Sequence, residues 1–263
     1  MAQASTHMEA VTPRFMIITT NRCSSLTHIT IVIPTSMAMS NSAQALLRLL
    51  QLSSPALPVG AYSYSQALEW AVEDGSLKNA SDAQRWIADV LRFSIARFEA
   101  PIWWRLHQAW SNRDTETAMQ WNDRFIASRE SAELRAETLQ MGYSLRQLLG
   151  DLGELDIEPL LAMEALAYPT AAAFAAAHWD VDARAGLIAY CWAWAENQTM
   201  AALKAVPLGQ VAGQRMLSAL LPAIEIAVDE AMRLPDVDLS NFTPGLAIAS
   251  SLHETQYSRL FRS

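Results

Sequence analysis

From Ser42 onward, apolar residues recur at helical spacing almost without a break, and Pro and Gly supply the punctuation. "AQALLRLLQL" opens as an amphipathic helix that Ser53-Ser54-Pro55 ends, and Pro55, Pro58 and Gly60 make "SSPALPVGAYS" a rigid non-helical loop. "YSQALEWAVED" resumes a helix that Gly75 stops. Ser81 with Gln84 reads as a capping box, followed by a stripe of Trp86, Ile87, Val90, Leu91, Ser94 and Ile95. Pro101 begins "IWWRLHQAW", and one long segment from "AMQWND" to "LRQLL" reaches the turn "GDLGELD". Further helices are expected at 158–167, 169–178, 182–206, 208–221 and 223–233, with a last one from Leu246. No strand pattern follows residue 40, no repeat appears, and no linker divides the chain. The expectation is an all-α fold, a single compact domain of about ten helices over 37–263.

Residues 1–36 carry a different composition, rich in Thr and holding three charges, Glu9, Arg14 and Arg22. "THITIVIP" has strand character with nothing nearby to pair with, and its apolar stretch is too short and too far in for a secretory signal. We expect translation to start at Met37 or Met39, leaving 1–36 as a disordered or spurious extension; intact mass from the native host checks this.

Composition bears on what the helices do. Charged residues make up 17% and hydrophobic ones 51%, with net charge −8. An acidic balance argues against nucleic-acid or anionic-membrane partners, and no apolar run approaches the length of a membrane span. Apolar surface in excess of what polar groups can cover then points to burial against other protein. The nine tryptophans fit either such an interface or a Trp-rich core. Cys23 and Cys191 lie far apart and form no metal or redox motif, which fits a reducing cytoplasm.

Catalytic and metal signatures are absent at sequence level. There is no E-x-x-H for a di-metal bundle site, and His107, His178 and His253 stand isolated; phosphate-loop, dinucleotide and nucleophile-elbow motifs are missing too. The chain reads as a binding module with no metal and no cofactor. A helical-bundle enzyme with a small-molecule pocket is the rival class; it requires a carboxylate/His cluster and a ligand-induced rise in melting temperature.

Three stretches look selected for contact. "SPALPVGAYSYSQALEW" presents Tyr62 and Tyr64 on a proline-held loop ahead of Glu69, although both tyrosines could simply pack that loop down. In "AENQTMAALKAVPLGQVAGQR", Glu196 and Lys204 lie eight residues apart, roughly 80° around a helix, and Gln210 and Arg215 follow its break; solvation of an exposed face is the plainer account. The sequence ends in "HETQYSRLFRS", with His253, Glu254, Tyr257, Arg259, Leu260, Phe261 and Arg262, residue types typical of binding hot spots. "SRESAELRAE" pairs Arg129 with Glu133 at i, i+4 and reads as a solvated face.

The segments "LLQLSSPALPVGAYSYSQALEWAVEDG", "ASRESAELRAETLQMG", "ENQTMAALKAVPLGQVAGQR" and "TPGLAIASSLHETQYSRLFRS" closely resemble the UreF family of urease accessory proteins, in order from Ser42 to Ser263. Two departures are Leu252, where many relatives have Arg, and Ala61, where many have Gly. The resemblance implies a cytoplasmic, non-enzymatic chaperone for nickel insertion into urease. It implies a homodimer that binds a UreD/UreH-type accessory protein, recruits a UreG-type GTPase and docks on urease apoprotein, coupling GTP hydrolysis to metal delivery. The resemblance places Glu69, Glu196 and Lys204 at family positions on the GTPase-facing or nickel-transit side, and the final segment is expected to order on binding the UreD-type partner. An alternative is a GTPase-activating protein inserting an arginine finger from Arg215, Arg259 or Arg262.

Overall fold

The computed structural model describes residues 41–263, so the expectations for residues 1–36 and the start at Met37 or Met39 fall outside the described residues. The fold is all-α, with no strand among the described residues. In chain order the helices are α1 (Asn41–Leu52), α2 (Leu68–Glu73), α3 (Ala80–Val90), α4 (Ala100–Ser111), α5 (Thr115–Ala127), α6 (Ala132–Leu152), α7 (Glu158–Leu161), α8 (Tyr168–His178), α9 (Ala183–Ala205), α10 (Gln210–Arg233) and α11 (Pro244–His253).

Helix α8 sits at the centre. Its sequence YPTAAAFAAAH is buried from Pro169 to Ala176, and α4, α6 and α9 all pack on it. Alanine suits that place because small side chains let neighbouring backbones approach while Phe174 fills the space between them. The approach is closest at Gly142 of α6, where an added Cβ would lie 2.1 Å from the Leu166 carbonyl oxygen. Trp103 and Trp110 are fully buried and the other seven tryptophans are partly buried against the core. Tryptophan therefore serves the core, and the exposed apolar residues are of other kinds, among them Leu46, Leu47 and Leu50 on α1 and Val211, Leu221 and Ile226 on α10.

Several boundaries differ from the sequence expectation, each for a local reason. Helix α3 is capped by Asn79, whose side chain accepts from the Ser81 and Asp82 amides, not by a Ser81/Gln84 box. The long expected segment is split at 128–131. Ser128 turns its hydroxyl onto the Phe125 carbonyl, and Ser131 caps α6 by accepting from the Leu134 amide. The helix expected at 158–167 stops at Leu161, and Ala167 is extended as the N-cap of α8. Conversely, α10 runs unbroken through Pro222, which was expected to divide it. That continuity makes Gln210–Arg233 long and apolar enough to cross a membrane by length and composition, contrary to the sequence reading. Its buried face, from Gly213 to Ala231, packs on α9 and on the segment linking α3 to α4.

That linking segment, Leu91–Glu99, is a π-helix closed by a bond from the Ala100 amide to the Ile95 carbonyl. Pro101 has no N–H to offer the Arg97 carbonyl, and the Ser240 amide takes that oxygen at 3.2 Å. The wider turn delivers Glu99 to the interior, where it is 8% exposed.

Candidate functional site

The most polar part of the interior lies where the last residues of the sequence return to α2 and α6. The loop before α2 is strained: Gln66 and Ala67 have φ of 50° and 67°, the left-handed region that side chains disfavour. Strain of this kind persists only where surroundings enforce it. Here the Trp194 indole donates to Gln66 Oε1 at 2.8 Å, and Gln66 Nε2 donates to Glu137 Oε1 at 2.8 Å. Ser65 starts the helix by offering its hydroxyl oxygen to the Glu69 amide.

Three carboxylates then converge on the final segment. Glu133 and Glu137 are one turn apart on α6 and so share a face, and Glu69 comes from α2. Carboxylates of one sign cannot satisfy each other, so donors must come from elsewhere. The final segment supplies them. Glu69 accepts from the Leu260 amide at 2.6 Å and the Phe261 amide at 3.0 Å. Glu133 accepts from Arg259 at 2.5 Å and from His253 Nδ1 at 2.6 Å, while His253 Nε2 faces Glu69 at 3.3 Å. Glu137 accepts from the Ser263 hydroxyl at 2.7 Å.

The main chain joins in. The Arg262 amide donates to the Ser63 carbonyl, and the Ser65 amide and hydroxyl both donate to the Ser263 main-chain oxygen, at 2.7 and 2.6 Å. At the base of the segment, Ser131 and Ser250 share a bond, and Glu254 accepts from the Ala132 amide at the start of α6, where a negative charge is favoured.

Beneath this cradle lies a cavity of about 70 Å³ lined in part by Gln66, Glu99, Arg129, Glu137, Tyr190 and Trp194. Tyr190 donates to Glu99 at 2.6 Å, and Arg129 reaches the same carboxylate at 3.5 Å while lying over the Phe125 ring. Burial pushes the Glu137 carboxyl up to about 7, against the pull of its bonds to Ser263 and Gln66. Burial, with the Glu99 charge adding to it, also raises the Tyr190 hydroxyl. Among the described residues no group of three or more His, Cys, Asp or Glu side chains could hold a metal ion.

The sequence-selected residues divide between interior and surface. Tyr64, Glu69, His253 and Phe261 are buried, so within this chain they hold the segment in place and present no free surface. The final segment, expected to order on binding, is already seated on its own body. Tyr257, Leu260 and Tyr62 are exposed at 105%, 71% and 68%, with Arg259 and Arg262 also facing out. Glu254 is exposed but spent on α6. Lys204 lies 5.6 Å over the Phe261 ring, joining α9 to the same place. Glu196, Gln210 and Arg215 make no hydrogen bond or ion pair with the segment among the described residues; burial raises the Glu196 carboxyl. Arg129 and Glu133, read from sequence as a solvated pair, are separated by the helix break and serve Glu99 and His253 instead. Sequence reasoning passed over Glu137, Gln66 and Glu99. The one signal for the first was a pair of like charges, Glu133 and Glu137, at helical spacing.

Comparison with known proteins adds an independent line. A model of the UreF family matches residues 77–221. A protein named urease accessory protein UreF from Azoarcus sp. (strain BH72) is 58% identical over 223 residues, covering 83% of this chain and 95% of the relative. Proteins of the same name from Janthinobacterium sp. (strain Marseille) and Dechloromonas aromatica (strain RCB) are each 54% identical, covering 84% and 83% of this chain and 99% and 97% of their own lengths.

Proposed function

The chain belongs to the UreF family of urease accessory proteins, which gives it a role in urease maturation, and we propose that it works there as a non-enzymatic cytoplasmic scaffold for nickel insertion. It joins a UreD/UreH-type accessory protein to a UreG-type GTPase, as a homodimer within the complex, and couples GTP hydrolysis to nickel delivery into urease apoprotein. The observation that carries this reading is the seated final segment. Its main chain and inward side chains are fixed by Glu69, Glu133 and Glu137, so that Tyr257, Arg259, Leu260 and Arg262 face outward beside Lys204 and Tyr62. A surface already ordered binds without the entropic cost of ordering it. Exposed apolar rows on α1 and α10 supply further area that a lone chain leaves in water.

The test is co-purification. Residues 37–263, and the same chain stopped at Ser251, are each co-expressed with the UreD and UreG counterparts of the same organism and sized in solution. The longer chain assembles and the shorter one stays folded but alone. Equal assembly of both removes the final segment from the interface; assembly of neither removes the partner assignment.

A further inference from the structure

His253 is wholly buried, and each of its ring nitrogens meets a carboxylate, Nδ1 facing Glu133 and Nε2 facing Glu69. A neutral imidazole has one N–H, so donating to both neighbours requires the doubly protonated ring. In that state His253 and Arg259 balance Glu69 and Glu133. Glu137 is the proton-sensitive contact. It holds Ser263, which is 1% exposed, and is faced by Glu99 from the π-helix, Arg129 from the turn before α6, Gln66 and Tyr64 from the loop before α2, and Tyr190 and Trp194 from α9.

We propose that these contacts form a proton-operated latch: the final segment is held closed on α2 and α6 at lower pH and swings free as pH rises. Opening carries Ser263 off Glu137 and gives its carboxylate access to water. The Glu137 carboxyl, buried with no cation among the described residues bonded to it and covered by Ser263, keeps its proton up to about 7 when covered and behaves as an ordinary carboxyl near 4.5 when open. Closure therefore takes up a proton and weakens as pH rises. It weakens by up to roughly tenfold per pH unit between about 4.5 and about 7 through Glu137 alone.

The latch belongs to the isolated chain and stands or falls independently of the partners. Hydrogen exchange of the Leu260, Phe261 and Arg262 amides, corrected for intrinsic rates, is measured on the full chain from pH 4.5 to 8.5, with the amides of α8 as the internal reference. The expected result is a progressive loss of protection in those three amides while α8 stays protected. Glu137→Gln flattens the fall below about pH 7. A flat wild-type profile overturns the proposal, as does a loss shared equally with α8, and neither of these readings needs a variant that folds. A variant profile that overlays the wild type would assign the change to other groups and overturn the latch as described.

Discussion

Removing the Glu69 carboxylate should detach the final segment without unfolding the helices. In Glu69→Ala, the Leu260 and Phe261 amides lose the acceptor they meet at 2.6 and 3.0 Å, and His253 loses one of its two carboxylates. Each bond from an amide to a charged acceptor is worth about 1.5 kcal/mol or more, and an unpaired N–H left buried costs about 1–3 kcal/mol. The segment avoids that penalty by opening, since an opened amide is hydrated. Two such bonds shift the opening equilibrium by about 3 kcal/mol, roughly a hundredfold. Burial of Phe261, worth about 1.5–3 kcal/mol, and the Ser65–Ser263 contacts still favour closure, so the closed form survives as one population among others.

The assay is limited trypsin digestion followed by mass spectrometry. Cleavage after Arg259 requires opening because the adjoining Leu260 amide is pinned in the closed form. When opening is fast relative to cleavage, the rate tracks the open population. Cleavage should rise by about two orders of magnitude, while the main thermal transition moves little, because local opening and global unfolding are separate events. An unchanged rate would show that Glu69 does not hold the segment. A rate increase accompanied by normal assembly with the UreD and UreG counterparts would leave the physics intact and refute the role given to the seated segment.

Two further variants test other parts of the argument. Gly142→Ala places a methyl against the Leu166 carbonyl, with other main-chain atoms of 166–167 within 2.9 Å; backbone cannot step aside as a side chain can, so urea denaturation should show a loss of about 3 kcal/mol or more, or no folded protein at all. Arg215 is exposed, whereas Arg259 is committed to Glu133. If the chain stimulates the GTPase through an arginine finger, Arg215→Ala or Arg262→Ala lowers single-turnover GTP hydrolysis by about 10³-fold. A scaffold leaves hydrolysis within a fewfold of the unaltered complex.

Fold class was legible because helical periodicity is a local property. The stripe from Trp86 to Ile95, the stop at Gly75 and the loop held by Pro55 and Pro58 each depend on residues within a few positions of one another. The errors of boundary have the opposite character. A serine two residues from an arginine can cap, solvate or break, and Ser128 and Ser131 break the helix because Arg129 has a buried destination in Glu99, thirty residues upstream. Pro222 was read as a divider by local rule, yet it lies on the solvent side of α10, where a lost hydrogen bond can be made good by water.

The site shows the same division at longer range. Its residue types could be named from sequence, but not which of them faced inward. "HETQYSRLFRS" has the composition of a binding surface, and seven of its eleven residues are exposed, with Gln256 half-buried. The rest, His253, Phe261 and Ser263, is interior, and becomes so because it carries donors to Glu133, Glu69 and Glu137, which stand 120 to 192 residues away in the chain, Gln66 being a further donor to Glu137. A buried cluster of like-charged acceptors is costly by itself. Its retention is understandable when the donors that neutralise it are carried on a segment able to leave. That arrangement ties the solvation of three carboxylates to the position of Tyr257, Leu260 and Arg262, so whatever grips those outward residues also acts on the carboxylates beneath.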